Sequence, residues 1–245
     1  MWLNVYMEQG KKLFLDSLEQ FGLSISSEQM EQFLKFYDIL VEKNKVMNLT
    51  GITEFNEVII KHFIDSLSIV KIIDMNNVDS MIDMGTGAGF PGVPIKIMFP
   101  EINVLLMDSL NKRVKFLQEA SDYCGLGKID FVHGRAEELG KNKLYREKYD
   151  LCVSRAVADL SVLAEYCMPF VKTGGNFVCY KSGNASEEIE NASNAIKLLS
   201  GKIDNKIEFI LPNSDFKRTL LKIEKVKPIS KTYPRRAGIP SKNPL

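Results

Sequence analysis

Residues 81–92, M-I-D-M-G-T-G-A-G-F-P-G, constrain the fold of this 245-residue chain more than any other stretch. An apolar run ends in Asp83, glycines then alternate with other residues, and a second apolar segment begins after Pro91. This order predicts a strand, a tight turn and a helix with Pro91 in its first position, although a plain strand-to-helix turn would look similar. Glycine accepts positive φ and lets a ligand approach the backbone, and a helix N-terminus holds electron-rich atoms. We therefore expect Gly85 and Gly87 to bind a nucleotide-like cofactor.

The next apolar run, residues 102–107, ends in a second acid, Asp108, 19 residues beyond Gly89. An acid at this place in nucleotide-binding α/β folds accepts hydrogen bonds from the ribose hydroxyls, and it can also cap the following helix. NAD and S-adenosylmethionine both carry such a ribose. The G-x-G-x-G spacing differs from the G-x-G-x-x-G of dinucleotide folds. Asp83 would attract an ammonium or sulfonium and repel a pyrophosphate, so the pattern favours S-adenosylmethionine.

Strand-like and helix-like segments alternate through the remainder of the chain, which predicts an α/β fold with a doubly wound, mostly parallel sheet. Two closing strands, at 206–211 and 219–226, form a hairpin-like pair. Helical periodicity over 8–21, and again after Ser27, which we expect to be the N-cap of a second helix, predicts an N-terminal helical cap over 1–58, followed by a cofactor-binding domain over 59–245. Ligands bind beyond the carboxyl ends of parallel strands. The residues predicted to meet there are Asp83 to Phe90, Asp108, Arg135 to Glu138, Ser154, Arg155, Lys181 and Ser182.

A third predicted helix spans residues 57–73 and follows a loop at 44–50. His62, Asp65 and Ser66 lie on one face of this helix because they are three and four residues apart. A Ser-His-Asp hydrolase is disfavoured, since three neighbours on one helix cannot take the positions of nucleophile, base and orienting acid. A structural polar cluster or the rim of an active site fits this pattern better.

Composition excludes several classes of protein. Hydrophobic residues make up 45% and charged residues 26%, no apolar run reaches 18 residues, and no signal peptide is recognisable. None of the four cysteines forms a C-x-x-C pair and the chain has two histidines, so we expect buried free thiols and no metal site. These observations predict a cytoplasmic globular protein with no membrane partner.

The net charge of +1 hides an uneven distribution. Residues 1–58 contain nine acids and five lysines, whereas residues 217–245 contain nine basic residues and one acid, Glu224. A basic C-terminal region indicates an anionic partner such as a nucleic acid, or else a solvated surface. A NAD-dependent oxidoreductase and a non-enzymatic RNA-binding module remain alternatives. The glycine spacing argues against the first, and a simple RNA-binding module would not need Asp83, the glycine turn and Asp108 together.

Seven stretches together resemble the RsmG family, also called glucose-inhibited division protein B. They are N-L-T (48–50), K-H-F-I-D-S-L (61–67), D-M-G-T-G-A-G-F-P-G (83–92), M-D-S-L-N-K-R-V-K-F-L (107–117), G-R-A-E-E (134–138), S-R-A-V-A (154–158) and Y-P-R-R-A-G-I-P (233–240). The resemblance implies a Rossmann-like class I methyltransferase that uses S-adenosylmethionine. It also implies a substrate, the N7 atom of one guanine in a loop of 16S ribosomal RNA, and a bacterial cytoplasmic enzyme, which we expect to be monomeric.

The resemblance also implies roles for individual residues. Cofactor contacts of the family map onto Gly85, Phe90, Ala136, Glu137 and Arg155, and Asp108 fits the ribose role. Guanine N7 carries an in-plane lone pair, so its methylation requires no general base. A carboxylate near the base could stabilise the charge that develops on guanine, and we expect Asp65 and Arg155 to act in catalysis. The expected RNA contacts are Lys112, Arg113, Lys181, Arg235 and Arg236.

Overall fold

The computed structural model describes residues 2–245, and side-chain surroundings from Tyr6 onward. The core is one seven-stranded sheet. Its strands are β1 (Ser80–Met84), β2 (Asn103–Asp108), β3 (Ile129–His133), β4 (Tyr149–Arg155), β5 (Val171–Ser182), β6 (Gly201–Ile210) and β7 (Lys217–Lys225).

The order across the sheet is β3-β2-β1-β4-β5-β7-β6. Strands β1 to β5 pair in parallel, and β7 lies antiparallel between β5 and β6. Because the order reverses between β2 and β4, with β1 at the switch point, a crevice opens at the carboxyl end of β1. The predicted mostly parallel α/β sheet and its closing antiparallel pair are confirmed.

Helices flank the sheet and also make up the N-terminal region of the chain. They are α1 (Trp2–Glu19), α2 (Ser27–Met47), α3 (Phe55–Val58), α4 (Asp65–Leu67), α5 (Gly92–Met98), α6 (Asn111–Cys124), α7 (Ala136–Leu139), α8 (Leu160–Cys167), α9 (Ser186–Leu198) and α10 (Ile239–Lys242). A π-helix at Ile59–Ile64 separates α3 from α4, and 3-10 turns follow at Ser68–Lys71 and Met75–Asn77. Within residues 2–245, no helix is both long enough and apolar enough to span a bilayer.

The N-terminal helices share one hydrophobic core with a face of the sheet. Phe33 and Phe36 of α2 pack against Phe63, with ring centroids 5.0 and 6.1 Å away, and Phe36 also contacts Phe90 at 5.4 Å. Burying one such side chain stabilises the fold by about 1.5–3 kcal/mol. These contacts tie the helical region to the glycine turn. The division into a cap at 1–58 and a domain at 59–245 stays a prediction.

Three sequence-based predictions about helix ends are wrong. Ser26, not Ser27, caps α2, because its extended backbone lets its Oγ accept a hydrogen bond from Gln29 N, while Ser26 N donates to Gln29 Oε1. Helix α2 then continues through part of the predicted loop and ends at Asn48, which has a φ of +50°. Pro91 is the cap of α5 and precedes its first residue, Gly92, whose N–H donates to Asp83 Oδ2 at 2.8 Å.

The predicted continuous helix at 57–73 is interrupted by the π-helical turn. A carbonyl of this wider turn binds a residue from a distant part of the chain. Lys61 O accepts a hydrogen bond from Arg155 Nη1 at 3.1 Å. Such π-turns recur at functional sites. Sequence periodicity does not reveal this change, because the apolar face continues through it.

Candidate active site

A cavity of about 370 Å³, called here the glycine cavity, lies beyond the carboxyl ends of β1 and β2. Its lining combines the glycine turn with the start of α6 and the segment after β4. The lining residues are Leu49, Thr50, His62, Gly85, Thr86, Gly87, Ala88, Phe90, Asp108, Ser109, Arg113, Arg155, Ala156 and Val157.

The glycine turn has the left-handed backbone that its sequence predicts. Gly85 and Gly87 have φ values of +72° and +62°. A Cβ atom on Gly85 would also lie 2.8 Å from Val157 Cγ2. Asp108 is buried and its Oδ2 accepts a hydrogen bond from Gly87 N at 2.9 Å, which fixes the turn against β2. A residue of the neighbouring strand thus fixes the conformation of the turn that lines the cavity.

Asp108 also accepts hydrogen bonds from Leu110 N, at 2.8 Å, and Arg113 Nη1, at 3.3 Å. The sequence predicted that Asp108 could cap the next helix. Helix α6 begins at Asn111, and Asp108 instead binds the N–H of Leu110, the residue just before the helix. Each carboxylate oxygen has two lone pairs, so the two donors on Oδ2 and the one on Oδ1 leave one lone pair, on Oδ1, for a hydroxyl donor. The predicted ribose contact is compatible with this geometry and stays a prediction.

Asp83 is fully buried behind the glycine turn. Its Oδ2 accepts hydrogen bonds from Thr86 Oγ1, at 2.6 Å, and Gly92 N, whereas its Oδ1 has no hydrogen-bond partner within residues 2–245. Burial raises the pKa of this carboxyl to about 6, while the two hydrogen bonds and the charge of Arg155 act in the opposite direction. A buried acceptor without a partner is costly, and a cationic or hydrogen-bonding ligand would satisfy it.

His62 lines the glycine cavity and also a second, larger cavity beside it. Its ring stacks on Phe90, with centroids 4.3 Å apart and an interplanar angle of 22°, and its Nε2 lies 2.9 Å from Thr50 Oγ1. Burial, and then the charge of Arg155, lower the pKa of His62 to about 3. The imidazole is therefore neutral at physiological pH and does not act there as a cationic acid.

Asp65 joins two arginines from distant parts of the chain. Arg155 Nη1 lies 2.8 Å from Asp65 Oδ2, and Arg218 Nε lies 2.9 Å from Asp65 Oδ1. The Asp65 side chain is only 6% exposed. Arg155 also lies over the Phe90 ring, 5.3 Å from its centroid. The carboxylate holds both guanidinium groups in place, and its predicted direct role toward a base stays a prediction.

A second cavity of about 590 Å³, the arginine cavity, lies on the other side of this cluster. Four residues, His62, Arg155, Ala156 and Val157, line both cavities. Ala156 has a φ of +56°, an unusual conformation for a residue with a side chain that costs on the order of 1–3 kcal/mol. The other lining residues are Lys61, Asp65, Ala158, Tyr180, Lys181, Ser182, Glu188 and Arg218.

The predicted RNA-contacting residues have different surroundings. Lys112 and Arg236 are exposed, and Arg113 lines the glycine cavity. Lys181 lines the arginine cavity and pairs with Glu188. Arg235 forms a two-pronged ion pair with the buried Glu165, at 2.7 and 3.0 Å. The guanidinium of Arg235 thus holds the C-terminal segment against α8.

Ala136 and Glu137 begin the short helix α7, outside the lining of both cavities. Glu137 is buried and its Oε1 accepts a hydrogen bond from Gly238 N at 2.8 Å. Their expected cofactor contacts are untested. The described residues also contain no cluster of three or more His, Cys, Asp or Glu side chains able to hold a metal. The four cysteines are buried and free, as predicted.

Several lining residues were not among the predicted site residues. Arg218 lies at the start of β7, where no motif marks it, and Thr50 lies before α3, where its one signal was the N-L-T stretch. Tyr180 is buried, and its hydroxyl donates to Ser66 O at 2.8 Å. The only signal for Tyr180 was its place near the carboxyl end of β5, beside the predicted Lys181.

Comparison with known proteins identifies the family. The family model described as rRNA small subunit methyltransferase G matches residues 29–215, more than half of the chain. The chain belongs to this family. Ribosomal RNA small subunit methyltransferase G of Lachnoclostridium phytofermentans is 52% identical over 95% of this chain and 96% of its own length. The protein of that name from Alkaliphilus metalliredigens is 50% identical over 97% and 99%.

Solved structures support the fold of this family member. The mitomycin 7-O-methyltransferase MmcR covers 78% of the chain with a TM-score of 0.56, at 10% identity over 60% of its own length. The fibrillarin pre-rRNA processing protein of Methanococcus jannaschii covers 65% with a TM-score of 0.51, at 15% identity over 74% of its own length. The sheet is thus that of a class I methyltransferase.

The glycine cavity of this methyltransferase fits S-adenosylmethionine, the family's methyl donor. Left-handed glycines let a ligand approach the backbone, and Oδ1 of Asp108 keeps one lone pair for a ribose hydroxyl. Asp83 lies outside the lining of this cavity, and its buried Oδ1, which has no hydrogen-bond partner within residues 2–245, would reach the methionine ammonium through a bridging water. Both carboxylates complement a cofactor with two cationic centres. These residues would be poor partners for a pyrophosphate, which argues again against NAD.

Proposed function

We propose that this chain methylates the N7 atom of one guanine in a loop of 16S ribosomal RNA. One observation carries the proposal. The glycine cavity, which fits the cofactor, and the larger arginine cavity share a wall made of His62, Arg155, Ala156 and Val157. A methyl group can pass directly between two ligands only where their sites adjoin.

The cofactor, when bound, supplies a methyl group made electrophilic by the sulfonium. The residues of the chain hold the cofactor and the guanine in position. Gly85, Gly87 and Asp108 would hold the adenosine end, and Asp83 the amino acid end. Holding two reactants in line can supply up to about 7–11 kcal/mol of the barrier reduction in favourable cases.

The chemistry of guanine N7 fits the polar groups of the shared wall. N7 attacks with its in-plane lone pair and loses no proton, so the neutral His62 is no obstacle to the reaction. Guanine O6 accepts hydrogen bonds beside N7. Arg155, held by Asp65, would orient the base by donating to O6, which leaves the N7 lone pair free to attack the methyl group. Asp65 adds a negative charge that offsets the positive charge gained by the ring.

The arginine cavity is suited to an anionic nucleotide. Lys61, Arg155, Lys181 and Arg218 outnumber the acids that line it, Asp65 and Glu188. RNA is read in single-stranded loops whose bases can be turned out of the stack, and a cavity of this size fits one such base. The exposed Lys112 and Arg236, and Arg113, would contact flanking phosphates.

Arg236 and Arg235 allow a test of the basic C-terminal region. Replacing Arg236 with Gln should lower the slope of log affinity against log salt by about 0.7, the value for one phosphate on a single strand. Arg235→Gln should leave that slope unchanged, because its guanidinium is bound to Glu165. An unchanged slope in both variants would remove this region from the RNA interface.

Other features of the proposal concern the protein's organisation. We infer a monomer that acts in the cytoplasm, with helices at 1–58 serving as a cap, because Phe36 packs on Phe90 of the glycine turn and Phe14 and Phe33 are buried in the same core. Sedimentation of the protein alone and with its RNA would test the monomer. A stable dimer with a shared cavity would overturn it.

Transfer of a labelled methyl group tests the proposed function. The substrates are S-adenosylmethionine and small-subunit ribosomal RNA, offered naked and with its ribosomal proteins, followed by mapping of the labelled base. Label on N7 of a single guanine is the expected outcome. Label on another atom, or none on either substrate with cofactor binding intact, would contradict the proposal and leave the methyltransferase family assignment in place.

A further inference from the structure

Phe216 is an exposed aromatic ring beside the arginine cavity. It lies in the loop between β6 and β7, and 39% of it is exposed. Lys61 Nζ lies 4.8 Å from the ring centroid and Arg218 Cζ lies 5.9 Å from it. Both cations line the arginine cavity, whereas Phe216 does not. The ring thus belongs to the rim of the cavity rather than to its interior.

The loop that carries Phe216 is held in a defined conformation. Phe216 O accepts a hydrogen bond from Leu211 N at 2.9 Å, and Ser214 Oγ donates to Leu211 O at 2.9 Å. Asn213 donates from its side chain to Ser17 Oγ of α1, also at 2.9 Å. The ring is therefore presented in place before any ligand arrives, which lowers the entropy cost of binding to it.

The two cations beside the ring are fixed by acids behind them. Lys61 pairs with Glu57, and Arg218 with Asp65. A partly exposed aromatic ring with cations over it is a combination suited to single-stranded nucleic acid, because the exposed part of the ring can stack on a base while the cations attract the adjoining phosphate.

We propose that Phe216 stacks on a nucleotide adjacent to the target guanine and positions the RNA strand for methyl transfer. This inference rests on the proposed function. With the target base in the arginine cavity, the strand must cross the cavity rim, where the ring is flanked by Lys61 and Arg218. Phe216 is a positioning residue in this account, since it acts on RNA outside the reacting atoms.

Substitution of Phe216 in the full-length protein tests this role. Phe216→Ala should weaken binding of small-subunit ribosomal RNA by about 5- to 140-fold, the range that loss of one stacked base produces. Phe216→Leu keeps the apolar volume and should weaken it similarly, whereas Phe216→Trp should preserve it. The loss should be the same at every salt concentration, because stacking neutralises no phosphate.

Tyr123 provides a matched control. It is more exposed than Phe216, at 52% against 39%, but it lies beside acidic Asp38 and Glu42 on α2, so Tyr123→Ala should leave RNA affinity unchanged. In turnover, the Phe216 variants should raise the KM for RNA more than they lower kcat, with affinity for S-adenosylmethionine unchanged.

Three results would overturn the stacking role. They are wild-type RNA affinity in Phe216→Leu, a changed salt slope in Phe216→Ala, or a matching loss of cofactor affinity, which would assign the ring to packing. Failure of the proposed function is distinguishable, since the unsubstituted protein would then leave small-subunit RNA unmethylated.

Discussion

The ion pairs of Asp65 offer the sharpest test of how the site is held together. Asp65→Asn would keep the shape of the side chain and remove the charge that Arg155 and Arg218 share. Removing one partner of a buried pair costs about 3–5 kcal/mol, and the amide oxygen that remains should reduce this to about 2–4 kcal/mol. The side chains of the two arginines are 14% and 17% exposed, so water compensates them only in part.

For a chain of this length, about 2–4 °C of Tm accompanies each kcal/mol, so Tm should fall by about 5–15 °C. The rate of methyl transfer by the folded variant should also fall, by about 10²-fold, because a guanidinium displaced by about 1 Å no longer positions the base. This loss is larger than the lower fraction of folded protein would explain. Thermal denaturation and single-turnover transfer at a temperature where the variant is folded measure the two effects separately.

Glu8→Gln provides the control, since it removes an exposed pair with Lys11 and should change stability by less than about 1 kcal/mol. A double-mutant cycle of Asp65→Asn with Arg218→Gln should be less than additive, because the two side chains are in direct contact. A Tm of Asp65→Asn within 2 °C or so of the parent, with normal single-turnover transfer, would refute both the stabilising and the positioning role.

Three further predictions concern the glycine cavity and the C-terminal segment. Burial raises the pKa of Asp83 to about 6, so the folded state binds the extra proton and Asp83 lowers stability as pH rises from about 4 to 6. Denaturant titrations of Asp83→Asn should lose this trend, and cofactor affinity of the parent should fall below pH 6. Gly85→Ala should weaken cofactor binding at least about tenfold, because a left-handed residue with a side chain costs roughly 1–2 kcal/mol and its Cβ meets Val157. Calorimetry checks this, and adding Val157→Ala should recover part of the loss. Arg235→Gln should destabilise by about 3–5 kcal/mol because it leaves Glu165 buried and unpaired, measurable as a lower Tm.

Each of these three predictions has a result that would contradict it. A flat cofactor affinity between pH 5 and 7 would remove Asp83 from the cofactor site. Normal binding by Gly85→Ala would mean that the turn does not approach the ligand. An unchanged Tm in Arg235→Gln would show that this ion pair does not hold the C-terminal segment.

Local sequence signals predicted the sheet and the glycine turn well. Asp83, Gly85 and Asp108 follow from a strand, a turn and a second strand that are consecutive in the chain, so their proximity needs no long-range information. The carboxyl-edge rule also brought Arg155 and Lys181 into the site, because parallel strands end at one edge. The regular part of the active site was therefore readable from spacing alone.

Long-range contacts were beyond the reach of the sequence. Asp65 and Arg218 are 153 residues apart, and Arg235 and Glu165 are 70 apart, with no periodicity linking either pair. The π-turn before Asp65 was hidden because its residues stay apolar where a helix would be. Arg235 was expected at the RNA surface for its charge, and only the fold reveals the buried acid that binds it.

A covalent mimic of the two ligands would test the central claim that the cofactor and guanine cavities adjoin at His62 and Arg155. In this compound a single methylene joins the sulfur position of the cofactor to guanine N7. The account predicts binding at least about 10²-fold tighter than S-adenosylhomocysteine, within the range of transition-state analogues, and loss of that advantage in Arg155→Ala. Equal affinity for the two compounds would contradict it, because guanine would then have no place beside the cofactor.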